Sequence, residues 1–245
     1  PTQPVPQGID SFALQGVKME DMWGITPIDK GWCEDRFEEM TYRGMYTPPS
    51  SKGALASPGP FGGGNWGGAS FDPTTNQLIV KSQNLPMILT LTPQSEIPAD
   101  SKATFSSRPL VGTDYYFQGQ VFLSPMGIPC GAPPWGTLTA IDMDTGKKNW
   151  QVPLGQARRF GVNVPEFFGW GSANVGGPIS TAGGVTFIAA TMDEKIRAFD
   201  TKTGELLWSD GLPAAGPSIP MTYMAGGRQF VVTTAGGVAR LYNNP

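Results

Sequence analysis

The sequence predicts an all-β protein built from repeated four-stranded units, an arc of a β-propeller. Three observations predict it. Gly (33) and Pro (24) together make up about 23% of the 245 residues. They lie between β-branched and aromatic runs, the pattern of short strands joined by turns. "LTAIDMDTGKKNW" places Ala140, Asp142, Thr145, Gly146 and Trp150 at the same offsets that Ala198, Asp200, Thr203, Gly204 and Trp208 occupy in "IRAFDTKTGELLW", 58 residues later. Five matching positions mark an internal repeat. Strand-turn-strand stretches surround both copies, enough for about three to four blades of four strands.

Residues 1–60 read as a connector wrapping the blades of 61–245, with a short helix in "EDRFEEMTYRGMY" (34–46) and a loop in "TPPSSKGALASPGP" (47–60). "ASFDPTTNQLIVKS" (69–82) reads as two strands with Asp72-Pro73 opening the turn. It combines with 137–152 across a long insertion at 84–136. Within each repeat the Asp bonds its own downstream backbone and the Gly takes the positive-φ position. The Trp on the outer strand is placed to pack against the next blade through its apolar area, its ring N–H seeking a partner. "GGPISTAGGVTFIAAT" (176–191) supplies the two strands that lead into the second repeat, and "PMTYMAGGRQFVVTTAGG" (220–237) supplies two more. The last blade shows only two clear strands, so the chain reads as part of a larger propeller completed by another segment.

Composition excludes several functions. Charged residues are 15% of the chain and the net charge is -3, so no polycationic surface serves nucleic acid or anionic lipid. Residues 1–50 hold eight acids and four bases, a solvated face. No apolar run approaches the ~18 residues of a membrane span, and no basic-then-apolar leader is present, so a signal or anchor is expected outside this chain. Histidine is absent, which excludes Ser-His-Asp and Cys-His catalysis within these residues. Cys33 and Cys130 lack zinc-site spacing; they allow either one disulfide in an oxidising compartment or two buried thiols. Asp72, Asp142 and Asp200 each sit in a turn motif that accounts for them without catalysis.

The paired Ala-x-Asp-x-x-x-Gly-x-x-x-Trp stretches resemble the tryptophan-docking motif of quinoproteins, eight-bladed propellers that hold pyrroloquinoline quinone (PQQ). "DMWGITPID" (21–29), "YRGMYTPPSSKGAL" (42–55), "GGNWGGASFDP" (63–73), "FLSPMGIPCGAPPWGTLTAID" (122–142) and "GGPISTAGGVTFIAAT" (176–191) narrow the likeness to the membrane-bound glucose/quinate/shikimate dehydrogenase family, over about residues 1–237. The resemblance implies a periplasmic enzyme, anchored to the inner membrane by a segment absent here, that oxidises a sugar, polyol or cyclic hydroxy acid. A hydride would pass to PQQ, a Ca²⁺ or Mg²⁺ would polarise the quinone, and ubiquinone would accept the electrons.

Residue by residue, the resemblance carries over Asn65 and Trp66 as cofactor-binding, since related enzymes place an Asn-Trp pair at PQQ. An amide suits a quinone oxygen or carboxylate. The bland alternative makes Trp66 core and Asn65 a turn residue. Gly236 and Gly237 match a Gly-Gly near the ring, although Val238, Ala239, Arg240 and Leu241 follow where the family has a His and a Gly-rich turn. Trp170 in "FFGWGSANVGG" is a candidate for the substrate-pocket mouth, and Arg158-Arg159 reads as a solvated pair rather than an anion site. The family's proton-abstracting Asp and quinone-contacting Lys lie upstream, so no catalytic residue and no metal ligand is assigned here, and the chain is expected to be inactive alone. "GGNWGG" resembles the quinate/shikimate branch more than the glucose one. The competing function is a scaffold: docking-motif propellers also occur without cofactor, needing only the hairpins and Trp staples.

Overall fold

The computed structural model describes residues 6–60, 62–104, 106–159 and 162–237, with the side chains of residues 158, 159 and 162 excepted. The described chain is dominated by antiparallel sheet and falls into two compact units.

The first unit comprises residues 6–13, 63–83 and 133–237. Its first sheet runs Ala69–Asp72, Gln77–Gln83, Gly136–Asp142, Lys148–Pro153. The strands before and after the insertion therefore combine as the sequence predicts, with Gln77 opposite Asp142 and Gln83 opposite Gly136. Its second sheet runs Ile179–Ser180, Val185–Ile188, Lys195–Asp200, Leu206–Gly211. Both outer hairpins carry a register shift just after the repeat alanine, between Ala140 and Ile141 and between Ala198 and Phe199. Buried Ile79, Leu138, Ala140, Leu154, Ile188, Ala190 and Phe199 draw on both sheets to form one core. Two hairpins complete the unit, Arg158–Arg159 with Val162–Asn163 and Met221–Ala225 with Arg228–Val232. The side chains of the basic pair lie outside the described residues.

The repeat turns act as their residues dictate. Asp142 Oδ1 accepts from the Asp144 and Thr145 N–H groups and the Thr145 hydroxyl. Asp200 Oδ1 repeats this with Lys202 and Thr203. Gly146 and Gly204 take φ of 68° and 76°, where only glycine sits without strain. The Trp150 ring N–H donates to the Thr201 carbonyl (3.1 Å), and a Cβ at Gly204 would lie 2.6 Å from the Trp150 ring. The first sheet's tryptophan is thus stapled to the second sheet's turn. Trp208, at the equivalent position, is 47% exposed. The hairpin after it has two strands rather than four, and this staple is not made among the described residues.

The second unit comprises residues 14–60, 62, 84–104 and 106–132. Its four-stranded sheet runs Ala54–Ala56, Met87–Pro93, Tyr115–Val121, Ser107–Pro109. The 84–136 insertion therefore contributes three strands, and the fourth, Ala54–Ala56, lies within the 47–60 stretch that the sequence reads as loop, held there by its pairing with Met87–Leu89. The helix occupies Pro27–Glu39 rather than 34–46. Thr26 Oγ1 accepts from the Asp29 N–H, and Pro27 fills the first helical position, where no N–H is needed. Past the helix, Gly44 at φ 101° and the Thr47 hydroxyl on its carbonyl form a turn. Cys33 and Cys130, both fully buried, are joined as a disulfide, which settles the choice between a bridge and two thiols. The bridge lies in a core with Val17, Met22, Met40, Leu55, Ile88 and Phe122.

Candidate functional site

The Gly-rich loop 63–68 precedes the first strand of the first unit. The Gly63 carbonyl accepts from the Gln83 N–H (3.0 Å), tying the loop to the end of strand Gln77–Gln83. The Gly68 N–H closes a turn on the Asn65 carbonyl (2.9 Å). Side chains are excluded on three sides. A Cβ at Gly63 would strike Ala13 and the Ser82 hydroxyl, one at Gly64 would meet the Phe12 ring at 3.2 Å, and one at Gly67 would enter the backbone of Gly176 and Gly177. Two backbones meet here because neither carries a side chain.

Asn65 stands in this loop. Its Oδ1 accepts from the Trp66 N–H (2.7 Å), which fixes which end of the amide points away. Its Nδ2 is buried and has no hydrogen-bond partner. A buried donor left unpaired costs about 1–3 kcal/mol, so the site favours an acceptor at that atom. Trp66 is 65% exposed rather than packed in the core.

The seam continues from Gly176. A Cβ there would meet the Ser218 carbonyl. The Ser218 hydroxyl is 3.0 Å from the Thr233 hydroxyl and accepts from the Thr234 N–H (3.1 Å). Residues 63–67, 174–177, 217–218 and 233–234 therefore adjoin in series, leading to Gly236 and Gly237. The Gly237 N–H donates to the Ala215 carbonyl (2.9 Å) at φ 72°, while nothing lies within 4 Å of a Cβ at Gly236. Close approach thus marks the 63–67 loop and leaves Gly236 open. No contact places either glycine against Asn65.

Trp170 belongs to an aromatic row. Its ring lies 5.4 Å from Trp135 and 5.5 Å from Phe168, which stacks on Phe167 at 4.5 Å. Its carbonyl accepts from the Trp135 N–H (2.7 Å). Trp135 is buried and Phe167 is 83% exposed, so the row runs from interior to solvent.

Sequence reasoning missed Lys81 and Asn174. Both are fully buried, and the Lys81 ammonium donates to the Asn174 carbonyl (3.3 Å). The Asn174 amide donates to the Ser82 and Ser172 carbonyls (2.9 and 3.2 Å), and its Oδ1 is buried without a partner. Burial pushes the Lys81 pKa down to about 8. The signal was a lysine inside the apolar strand "QLIVKSQ".

The acids of the turns are occupied. Hydrogen bonds from the Thr145 N–H and hydroxyl hold the Asp142 carboxyl below its usual range, and Thr203 does the same for Asp200. Burial raises Asp72, but the hydroxyls and N–H groups of Thr75 and Thr74 outweigh it, and its pKa is also lowered. A low pKa suits a fixed hydrogen-bond acceptor and makes a poor base at neutral pH. Among the described residues no group of three or more Cys, Asp or Glu side chains converges to hold a metal ion. The donor set here does not fit a cation.

It does fit an acceptor-rich, planar organic group. An orphaned amide N–H, a backbone cradle that a Cβ would fill and a covered ammonium are what such a group needs.

The family model described as PQQ, glucose/ethanol/alcohol dehydrogenase, beta-propeller domain, matches residues 1–231. A probable quinate dehydrogenase (quinone) of Xanthomonas campestris pv. juglandis is 38% identical over 249 residues, covering 97% of this chain and 32% of the relative. The quinoprotein glucose dehydrogenase of Escherichia coli (strain K12) is 40% identical over 248 residues, covering 97% of this chain and 31% of the relative. A quinohemoprotein alcohol dehydrogenase structure from Comamonas testosteroni overlays with a TM-score of 0.49 at 28% identity, covering 74% of this chain and 23% of that one. The chain spans about a third of the length of the curated relatives it matches. Its sheets are blades of a partial propeller, and the chain belongs to the PQQ-dependent glucose/ethanol/alcohol dehydrogenase β-propeller family.

Proposed function

We propose that this chain forms part of a dehydrogenase that oxidises a sugar, polyol or cyclic hydroxy acid with PQQ and passes the electrons to ubiquinone. Within it, the 63–68 loop is a share of the cofactor site. The observation that carries the reading is the buried, unpartnered Asn65 Nδ2 on a loop pressed backbone to backbone against Gly176 and Gly177. A scaffold would need the Trp150 staple but no orphaned donor in the 63–68 loop.

When bound, PQQ would supply a two-electron acceptor for the hydride that leaves the carbon bearing the substrate hydroxyl, the hydroxyl giving up its proton to a base. The chain's own residues bind and orient. Asn65 Nδ2 would donate to a cofactor oxygen while the Trp66 N–H holds the other end of the amide. The glycine cradle lets the backbone come close and excludes water from that edge. Trp66 would offer an aromatic face to the cofactor and Trp170 one to the pocket mouth. The proton-abstracting carboxylate and the ligands of a Ca²⁺ or Mg²⁺ come from outside the described residues, and the chain is inactive without them.

The reading places the protein in the periplasm at the inner membrane. The buried Cys33–Cys130 disulfide supports an oxidising compartment. No helix among the described residues is long and apolar enough to cross a membrane.

The test is dye reduction by the chain joined to the remainder of its propeller, loaded with PQQ and Ca²⁺ and offered glucose, quinate and shikimate. Turnover of any of the three supports the reading and names the substrate. A completed propeller that neither binds PQQ nor reduces dye overturns it in favour of the scaffold.

A further inference from the structure

A lysine with no accessible surface is an expensive residue to keep, because desolvation penalises its charge unless a counter-charge is present. The partner that the described residues give the Lys81 ammonium is the Asn174 carbonyl, a single neutral acceptor for three N–H donors. Among the described residues, the elements around it offer no free carboxylate. Its own strand contributes Gln77 and Gln83, and the 63–68 loop and the 172–175 segment carry no charge. The facing sheet brings Arg197 and Asp193, which are buried against each other and joined through Thr191, the residue paired with Asn174. Asp10, at the N-terminal side, is tied to Lys147 and the Lys148 N–H. The polar frame that holds Lys81 is also the frame of the glycine loop. The Asn174 amide clasps the Ser82 carbonyl, Gln83 clasps Gly63, and Gly177 abuts Gly67. A cation with no carboxylate partner among the described residues thus shares a single seam with the orphaned Asn65 Nδ2 and Asn174 Oδ1, and the Thr137 hydroxyl opposite Ser82 is orphaned as well.

We propose that Lys81 is an electrostatic positioning residue for the anionic cofactor, its covered ammonium supplying the positive charge that draws the carboxylates of PQQ to the loop bearing Asn65. The inference rests on the quinone reading above. Lys81 acts through the low-dielectric interior, not by contact, since its ammonium has no open surface. Being buried, it is screened little by salt. Binding is reciprocal: an anion favours the charged lysine as much as the charged lysine favours the anion. Lys81 loses its proton near pH 8 in the empty site. Cofactor binding at about that pH therefore takes up a proton.

The experiment is calorimetric titration of PQQ into the complete dehydrogenase at about pH 8, in two buffers of different ionisation enthalpy, which reads proton uptake directly. The unaltered protein is expected to bind PQQ with a fractional proton uptake. Lys81→Met is expected to lose that uptake and bind about tenfold or more weakly. Lys81→Arg, whose charge does not titrate in this range, is expected to keep most of the affinity and lose the uptake. Circular dichroism and Tm establish that each variant is folded, and if Lys81→Met does not fold, Lys81→Arg decides. Binding by the unaltered protein without proton uptake, or uptake and affinity unchanged in Lys81→Met, overturns the role of Lys81 and leaves the quinone reading intact. No binding by the unaltered protein overturns that reading, and this inference with it.

Discussion

Trp150 and Trp208 occupy the same position in the repeat, and the structure assigns them different energies. The Trp150 ring packs on Gly204 and donates to the carbonyl of Thr201, a residue 1% exposed. Trp150→Ala removes the ring and leaves that carbonyl without its donor. Buried Trp→Ala changes cost about 3–5 kcal/mol, and Trp150 is half-buried, so about 3 kcal/mol is expected. Trp150→Phe keeps most of the apolar contact and loses the hydrogen bond, for about 1–2 kcal/mol. Trp208 is 47% exposed, and Trp208→Ala should cost less than about 1 kcal/mol. The assay is urea unfolding followed by far-UV circular dichroism, comparing midpoints at equal m. Equal losses from Trp150→Ala and Trp208→Ala, or a loss below about 1 kcal/mol from both, would refute the staple.

Three further outcomes are expected. Gly177→Ala should destabilise by about 1–3 kcal/mol through overlap with the Gly67 carbonyl. Gly184→Ala, at φ 77° with open space around it, should cost about 1 kcal/mol of backbone strain alone; equal effects on urea midpoints would refute the seam. Reducing Cys33–Cys130 opens a loop spanning 97 residues, worth about 4–5 kcal/mol in the chain-entropy model, read as a fall in the urea midpoint with dithiothreitol. Lys81 is charged below pH 8 in the folded chain and below 10.5 unfolded, so its burial lowers stability by roughly 3 kcal/mol below pH 8. That penalty shrinks as pH rises and is gone above 10.5. Lys81→Met should thus gain about 2 kcal/mol at neutral pH, after the lost bond to Asn174, and lose the advantage at high pH. A pH-independent difference would contradict this sign.

What the sequence disclosed was local. The turns at Asp142 and Asp200 were legible because each Asp is satisfied by residues two and three positions on. The hairpins of 69–83, 179–200 and 221–232 were legible for the same reason. The sheet of the second unit was not, since Ala54–Ala56 pairs with Met87–Pro93 across a stretch that holds no repeat. The helix start was written in Thr26-Pro27, a cap followed by a proline at the first position, and the acidic run further on drew attention from it. Asn65 was marked by family resemblance, but its orphaned amide exists only once the loop is folded. Lys81 was hidden because both faces of Gln77–Gln83 are covered, so alternation along the strand carries no information about what is inside.

The central claim is that Asn65 holds the cofactor, and PQQ affinity of the Asn65→Ala protein tests it most directly. Fluorescence titration of the complete dehydrogenase, with thermal unfolding of the apo form alongside, separates binding from folding. Loss of one hydrogen bond should weaken PQQ binding about tenfold while leaving the apo Tm nearly unchanged, since removing an unpaired buried donor offsets the loss of the Oδ1 bond to the exposed Trp66 N–H. Unchanged affinity, or a collapse of the apo Tm, would contradict the account.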